Sequence, residues 1–413
     1  MKKKQLPLAF WIFVGLVVGI AAGLVLIPVQ IGALSGLDIA KNYIKPFGTI
    51  FLNLLKFVVV PIVLFSIASG VISMEDVRKV GSVGGKTVVY YMCTTAFAVM
   101  MALFLATLAR YFSLFQTLET TGLSYEPPAG QSLMDTIVNI FPSNAIAPMV
   151  NATMLQVIVI SVLLGFGILL AGEKGKMAAQ VVESFNEVFL KIMDLIIKLS
   201  PIGVACLICP VVCENGPSVL GDLFMVLLVA YIGYFLHAVL VYSCTVKAFA
   251  GVSPAEFFRG MAPAMMMAFS SASSVGTLPL TMDCSEKLGS RKEVSSFVLP
   301  LGATINMDGT AIYQGVCAVF IATCFGIELS IGQMITIILT ATLASIGTAG
   351  VPGAGMVMLA MVLQSVNIPV EGIALVAGID RIFDMGRTTV NITGDAACAV
   401  IVSKLEEKKS ARK

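Results

Sequence analysis

The stretch GATINMDGTAIYQG, from Gly302 to Gly315, places polar groups in the middle of a long apolar segment. Asn306, Asp308 and Gln314 are costly in hydrocarbon unless something binds them. The three glycines loosen a helix, and an unwound NMDGT turn would release backbone carbonyls. Those carbonyls, with Asn306 and Asp308, are hard oxygen ligands that suit a small hard cation. The stretch therefore predicts a broken membrane helix that binds a cation; a hydrogen-bonded kink is the structural alternative.

The composition of the whole chain indicates a membrane protein. Of its 413 residues, 58% are hydrophobic and 12% charged, with a mean hydropathy of +0.96; a soluble domain carries about 25% charged residues. Apolar runs long enough to cross a bilayer recur along the chain. The net charge of +2 gives no reason to expect a nucleic-acid partner. We expect a polytopic all-α protein in contact with membrane lipid.

Eight long helices are expected from the apolar runs. The first is taken as a spanning helix because it is longer than the apolar region of a signal peptide and no cleavage site follows it. Basic residues at both ends, MKKK and KLEEKKSARK, predict that both termini are cytoplasmic. The predicted helices cover 8–28, 43–73, 84–113, 150–171, 177–208, 219–249, 292–325 and 371–403.

Two further segments predict hairpins that enter the membrane and return. Residues 262–288 and 331–366 each have an apolar arm, a centre rich in Ser, Gly or Pro, and a second apolar arm. Each arm is too short to cross a bilayer about 30 Å thick. Glycine-rich packing segments within continuous helices are the alternative. Each hairpin precedes a helix with a polar cluster, a two-half pattern typical of secondary transporters.

The last long helix carries a row of polar residues on one face. Arg387 can bind a carboxylate through two hydrogen bonds, Asp384 can bind an ammonium group, and Thr388 can add a directional hydrogen bond. Such a set suits a zwitterion with an extra carboxylate; a self-neutralising Asp384–Arg387 pair is the alternative. The row, at spacings of four, three, four and four, is Asp380, Asp384, Arg387, Asn391 and Asp395.

Two other polar positions in apolar runs give weaker signals. Tyr91, Thr94 and Thr95 share one helical face, although membrane threonines usually bond to their own backbone. His237, the one histidine of the chain, is interpreted as a packed interior residue. A single histidine offers no histidine-based metal site or catalytic triad. With no nucleophile–base pair in the sequence, an enzyme is not expected.

Together these motifs resemble the dicarboxylate/amino acid:cation symporters, a family that includes mammalian excitatory amino acid transporters and archaeal sodium–aspartate transporters. The resemblance covers nearly the whole chain. It implies eight transmembrane helices plus two re-entrant hairpins, assembled as a homotrimer in a prokaryotic plasma membrane, with a transport domain that moves like an elevator against a scaffold. The motifs that carry it are VVYYMCTTAFAV, SSASSVGTLP, NMDGTAIYQG, SIGTAGVPGAG and DMGRTTVNITGD.

The resemblance also implies a division of the chain. Scaffold helices would lie in 1–83 and 114–208. The third helix, 84–113, and the core, 219–403, would form the transport domain. A cytoplasmic tail would follow at 404–413, and the second hairpin would be the extracellular gate.

The resemblance further implies residues for the substrate and for sodium, the co-transported ion. The substrate would meet Ser273, Ser274, Thr310, Gly350, Val351, Gly355, Asp384, Arg387, Thr388 and Asn391. One sodium site would use Asp395 and the backbone carbonyls of Gly302, Asn306 and Asn391. A second would use Thr304, Ser345, Ile346 and Thr348, and a third Tyr91, Thr94, Thr95, Asn306 and Asp308.

Departures from the family pattern bear on substrate and ion. Ala272 and Met385 stand where archaeal and mammalian members respectively carry an arginine, and we predict that Arg381 reaches Asp384 or the first hairpin instead. Gln314 stands where proton-coupled mammalian members have a glutamate. The expected function is sodium-coupled symport of aspartate or glutamate. A C4-dicarboxylate or a proton-coupled glutamate symporter is the alternative, and a neutral amino acid carrier or an anion channel is less favoured.

Overall fold

The computed structural model describes most of the chain and is almost entirely helical, as the sequence predicts. One antiparallel pair, Gln30–Ile31 with Leu34–Ser35, departs from the expected all-α fold. The structure describes residues 8–31, 34–73, 82–115, 117, 138, 141–151, 153–216, 219–346 and 354–410.

The helices of the first half follow the predicted runs with one exception. In chain order they are α1 Leu8–Leu26, α2 Lys45–Ser73, α3 Ser82–Tyr111, α4 Met154–Leu170, α5 Lys176–Ile197 and α6 Ser200–Asn215. Short helical segments lie at Gly36–Ile39, Ala40–Ile44, Ala147–Val150 and Gly172–Gly175. The exception is the single helix predicted over 177–208, which is wrong: α5 and α6 meet at a 54° bend.

The second half contains pairs of helices in both segments predicted as hairpins, and the centre of the second segment, 347–353, lies outside the described residues. Helix α7, Val219–His237, continues through Ala238–Tyr242, Ser243–Thr245 and Val246–Ala250. Next come α8 Pro254–Ser271 and α9 Ser274–Lys287, then α10 Lys292–Ile305 and α11 Asp308–Cys324. The chain ends with α12 Ile331–Ala344, α13 Ala354–Ser365, the turn Val370–Gly372, α14 Ile373–Ala377 and α15 Asp380–Ser410.

Two of the predicted long helices are interrupted in the structure. The extended backbone of Asn306 separates α10 from α11, which confirms the unwound turn in the opening motif. The helix predicted over 371–403 is wrong at its start, because α15 begins only at Asp380 after a short helix and a turn.

Several helices are apolar enough to cross a membrane. By length and composition, four described helical stretches could each span a bilayer, and the bent pair α5–α6 makes a fifth if it is counted as one span. Shorter apolar helices lie within α1, α4, α12 and α13. Large apolar side chains such as Trp11, Phe13 and Phe57 are exposed on α1 and α2, as expected for a surface that faces lipid or another apolar partner. The protein is therefore a multi-pass membrane protein.

The helices pack in two groups. Helix α1 lies on α6, and α2 lies on α4, α5 and α6. In the other group α15 is central: it packs against both arms of the first hairpin, α8 and α9, and against α10 and α11. Helix α3 lies along α11, whose residues are all buried. The polar residues of the opening motif thus lie at the centre of the second group.

Candidate functional site

The guanidinium of Arg387 is held between two acids of its own helix. Its Nε donates to Asp384 at 2.8 Å and its Nη1 to Asp380 at 3.3 Å. The spacings of three and seven residues place both acids on the face of Arg387. All three side chains are buried, so the Asp384–Arg387 pair considered from the sequence does form.

The pairing leaves one nitrogen of Arg387 available. Nη2 is buried and has no hydrogen-bond partner among the described residues. The ring of Tyr313, in α11, lies under the guanidinium, and its centroid is 5.0 Å from Cζ of Arg387. Gly355 of α13 lies so close that a Cβ there would overlap the guanidinium. A buried cation with an unsatisfied donor can bind an anionic group at little further desolvation cost to the cation, since folding has already removed the cation from water.

Asn391 connects α15 to the start of α11. Its Oδ1 accepts from the backbone N–H of Gly309 at 2.7 Å, and its Nδ2 lies 3.4 Å from the hydroxyl of Thr310. Thr388 lies one turn away, with its hydroxyl 3.5 Å from Asp384. The residues expected to bind substrate on α11 and α15 therefore surround one small buried region.

The tip of the first hairpin lies next to this region. Ser273 caps α9 by accepting from Gly276, and Ser274 is buried behind it. Arg381 donates from Nη2 to the Ser271 carbonyl at 3.0 Å, and its Nη1 lies 3.6 Å from Asp384. The predicted position of Arg381, between Asp384 and this hairpin, is confirmed.

A second buried centre surrounds the carboxylate of Asp308, which is fully buried. From α3, Thr95 donates to Oδ1 at 2.6 Å and Thr94 at 3.3 Å. At Oδ2 the partners are His237 Nε2 at 3.1 Å and the Tyr242 hydroxyl at 2.8 Å.

The third centre joins the unwound turn to α15. The Asn306 amide donates to Asp395 Oδ1 at 2.9 Å and to the Asn391 carbonyl at 3.1 Å. Its own carbonyl oxygen, Oδ1, is buried with no partner among the described residues. A Cβ on Gly302 would overlap the Asp395 carboxylate and crowd the Tyr91 hydroxyl. A carboxylate and an unpartnered amide oxygen at a break in a helix have the donor chemistry of a site for a hard cation.

The remaining predicted sodium and substrate ligands make fewer contacts with these three centres. The Tyr91 hydroxyl donates to the Val298 carbonyl, not to Asp308. The Thr304 hydroxyl donates to the Leu301 carbonyl and the Ser345 hydroxyl to the Thr342 carbonyl, and Ile346, which follows Ser345, is buried. Thr348, Gly350 and Val351 lie outside the described residues.

Sequence reasoning missed three partners of the site. His237 was interpreted as packing, but it contacts Asp308. Tyr242 was not singled out, because it lies five residues further along and an α-helix would place it about 140° away. Tyr313, inside the opening motif, carried the signal of an aromatic ring five residues after Asp308, yet only the structure shows it under Arg387.

The geometry defines a class of protein. Buried charges at the centre of a membrane helix bundle, beside a broken helix and two pairs of short apolar helices, are typical of a secondary transporter. The chain matches the sodium:dicarboxylate symporter family over residues 8–405 and belongs to that family. It is a transporter and not an enzyme.

The names of similar proteins describe transporters, and they differ in the substrate and ion that they give. The chain is 37% identical to the proton/sodium-glutamate symport protein of Bacillus caldotenax, over 98% of this chain and 95% of that protein. It is 35% identical to the C4-dicarboxylate transport protein of Bacillus subtilis, over 93% of each chain. It is 32% identical to excitatory amino acid transporter 3 of Mus musculus, over 96% of this chain and 86% of that one.

Proposed function

We propose that this protein is a sodium-coupled symporter of acidic amino acids, aspartate or glutamate. The observation that carries the proposal is the buried guanidinium of Arg387, which lies beside the acid Asp384 and keeps one nitrogen without a partner among the described residues. The free nitrogen suits the side-chain carboxylate of the substrate, and Asp384 suits its ammonium group. Thr388 and Asn391 would orient the zwitterion, with Ser273 and Ser274 closing the site from the first hairpin.

Sodium is the coupling ion in this proposal. The Asp395–Asn306 and Asp308–Thr95 centres lie on either side of the unwound turn, whose next helix carries Thr310. Ligands for the ion and for the substrate thus belong to one short segment, so binding of one would favour the other. The name of the Bacillus caldotenax relative includes both proton and sodium. Gln314, buried and unable to titrate, supports sodium alone.

The proposed movement is an elevator. In this proposal the scaffold would comprise 1–83 and 114–208, and the transport domain 84–113 and 219–403; the two packing groups support this division. The resemblance to the family supports eight crossings with two hairpins, cytoplasmic termini and a homotrimer in a prokaryotic plasma membrane. The second hairpin would be the extracellular gate, because Gly355 lies directly on Arg387.

A C4-dicarboxylate symporter is the second candidate. Arg381 supplies a second guanidinium at Asp384, and a relative with that printed function is 35% identical. Such a substrate has no ammonium group, however, so the buried Asp384 would repel it. Asp384 therefore favours an amino acid as the substrate.

Uptake into proteoliposomes tests the proposal. We expect aspartate or glutamate to accumulate with an inward sodium gradient, to stop when choline replaces sodium, and to be indifferent to an imposed pH gradient. Succinate should compete poorly. Uptake in sodium-free medium that follows the pH gradient would overturn the sodium assignment, and uptake of succinate in preference to both amino acids would favour the dicarboxylate.

A further inference from the structure

The carboxylate of Asp308 is held from two helices, one at each oxygen. Thr94 and Thr95 of α3 donate to Oδ1, and His237 and Tyr242, at the end of α7, bind Oδ2. All four of these side chains are buried, and those of His237 and Asp308 are completely so. The orientation of this carboxylate is therefore fixed by residues of α7 that the family motifs did not bring into the site.

The backbone of α7 explains how both residues reach the same oxygen. On an α-helix, positions five apart lie about 140° apart around the axis, so one of the two would point away. The segment Ala238–Tyr242 is a π-helix, which closes its hydrogen bonds over five residues and brings such positions near one another. Single π turns inside α-helices are frequent at functional sites. The π turn places His237 and Tyr242 together on Asp308.

The rings also stabilise one another in this position. The His237 and Tyr242 rings meet edge to face with centroids 4.9 Å apart. Since a carboxylate oxygen accepts, Nε2 of His237 donates to it, while Nδ1 has no partner among the described residues. A histidine needed only for packing would not direct one nitrogen at a buried acid and leave the other unsatisfied.

We propose that His237 and Tyr242 are positioning residues for sodium at Asp308. This inference rests on the proposed sodium coupling and deepens it. By holding Oδ2, the two side chains keep Oδ1 directed at Thr94 and Thr95, where the ion would bind. Partners that orient a ligating carboxylate set metal affinity, and their loss typically lowers it about 10- to 100-fold.

The experiment measures sodium binding directly, without transport. Purified protein is unfolded thermally at increasing sodium chloride, with choline chloride keeping the ionic strength constant and no substrate present. The sodium concentration at half of the maximal stabilisation is compared between the parent and its variants. We expect His237→Leu to raise it on the order of 10-fold or more, Tyr242→Phe to raise it less, and His237→Gln, which keeps a donor, to recover part of the loss.

A matched control and a double variant separate positioning from general destabilisation. Thr245→Val removes a hydroxyl of the same helix, and this hydroxyl bonds to Tyr90 and not to Asp308. The sodium concentration at half-maximal stabilisation, the half-point, should stay within about twofold of that of the parent, because Thr245 shares no partner with the Asp308 carboxylate. In an Asp308→Asn background, His237→Leu should have no further effect on the half-point, because both changes act through one carboxylate.

The outcomes distinguish this inference from the function on which it rests. A parent protein that sodium does not stabilise contradicts the proposed sodium coupling itself. A parent that sodium stabilises, with variants that melt earlier at every sodium concentration but keep the parent half-point, overturns the positioning role alone. If His237→Leu does not fold, Tyr242→Phe, which removes a single hydroxyl, decides the matter by the same criterion.

Discussion

At the scale of single residues, the charge balance around Arg387 decides which substrates fit. Arg387 and Arg381 face Asp384 and Asp380, so the four side chains are neutral together. A zwitterion with one extra carboxylate would bring a single negative charge to the unpartnered nitrogen of Arg387. Loss of that guanidinium would leave two buried acids without their main partner.

The first prediction concerns Arg387→Cys. Acidic substrates should bind more weakly by about 2–5 kcal/mol, the usual loss when one partner of a buried charge pair is removed. Small neutral amino acids such as serine or cysteine should bind in their place. Competition against labelled aspartate in saturating sodium measures this. Aspartate binding as tight as in the parent would contradict the assignment of the carboxylate to Arg387.

The second prediction concerns Arg381→Ala. Arg381 joins α15 to the Ser271 carbonyl at the hairpin tip and lies beside Asp384. Its removal frees both, and the loss of hydrogen bonds to a partly exposed charged group should raise the Michaelis constant about 3- to 10-fold. Arg381→Lys should recover part of this. The competing hypothesis, a side chain that only reaches water, expects unchanged kinetics for both variants.

The third prediction concerns Asp308→Asn. A neutral amide in place of the acid should weaken sodium binding, and linkage requires that substrate affinity at fixed sodium falls as well. Titration of aspartate binding at two sodium concentrations measures both effects. Higher sodium should restore part of the substrate affinity. A variant whose substrate affinity equals that of the parent at both sodium concentrations would show that Asp308 is not coupled to the ion.

At the scale of helices, α11 and α15 approach each other closely just after the break between α10 and α11. Gly309 follows the break directly, and a Cβ there would overlap the backbone of Arg387. Neither backbone can give way easily, since Asn391 bonds to the N–H of Gly309 and α15 is packed on its other sides. The position therefore requires glycine for space.

The fourth prediction follows from that contact. Gly309→Ala should lower the unfolding free energy by about 1–3 kcal/mol, the usual cost of overpacking, and displace Arg387 from its acids. Gly167→Ala in α4 is the control, because a Cβ there meets nothing within 4 Å and alanine favours a helix by about 1 kcal/mol. In detergent, the midpoint of thermal unfolding should fall for Gly309→Ala and rise for Gly167→Ala. Equal midpoints would mean that the helices separate without cost.

The sequence predicts helix existence and polar clusters better than helix ends. The break between α8 and α9 and the broken turn at Asn306 could be predicted because glycine, proline and polar residues interrupt an apolar run. The bend between α5 and α6 was missed because the apolar pattern continues through it, although Pro201, in the first turn of α6, is a typical start signal. The role of His237 could not be predicted, since the π turn that aligns it with Tyr242 has no signature in a 3.6-residue period.

At the scale of the molecule, an ion pair among the described residues joins the first packing group to the turn before α14. Lys56 of α2 lies 2.7 Å from Glu371, which precedes α14 and α15. Both side chains are more than a third exposed, so the pair contributes little to stability, about 0–1 kcal/mol. Its interest lies in its position, because the proposed scaffold and transport domain must slide past one another where these two residues meet.

The fifth prediction tests that movement. In a chain carrying Lys56→Cys and Glu371→Cys, a short reducible thiol crosslinker should join the two positions and stop uptake, and a reductant should restore it. The native cysteines that are exposed or partly exposed, Cys93, Cys206, Cys213 and Cys244, are first changed to serine so that the reagent finds only the new pair at the surface. Each single variant, treated in the same way, should keep its uptake. Substrate binding should survive crosslinking, because Arg387 and its partners lie entirely within the second packing group. A crosslinked protein that still transports would show that 45–73 and 371 do not move apart, and the division into scaffold and transport domain would then be wrong.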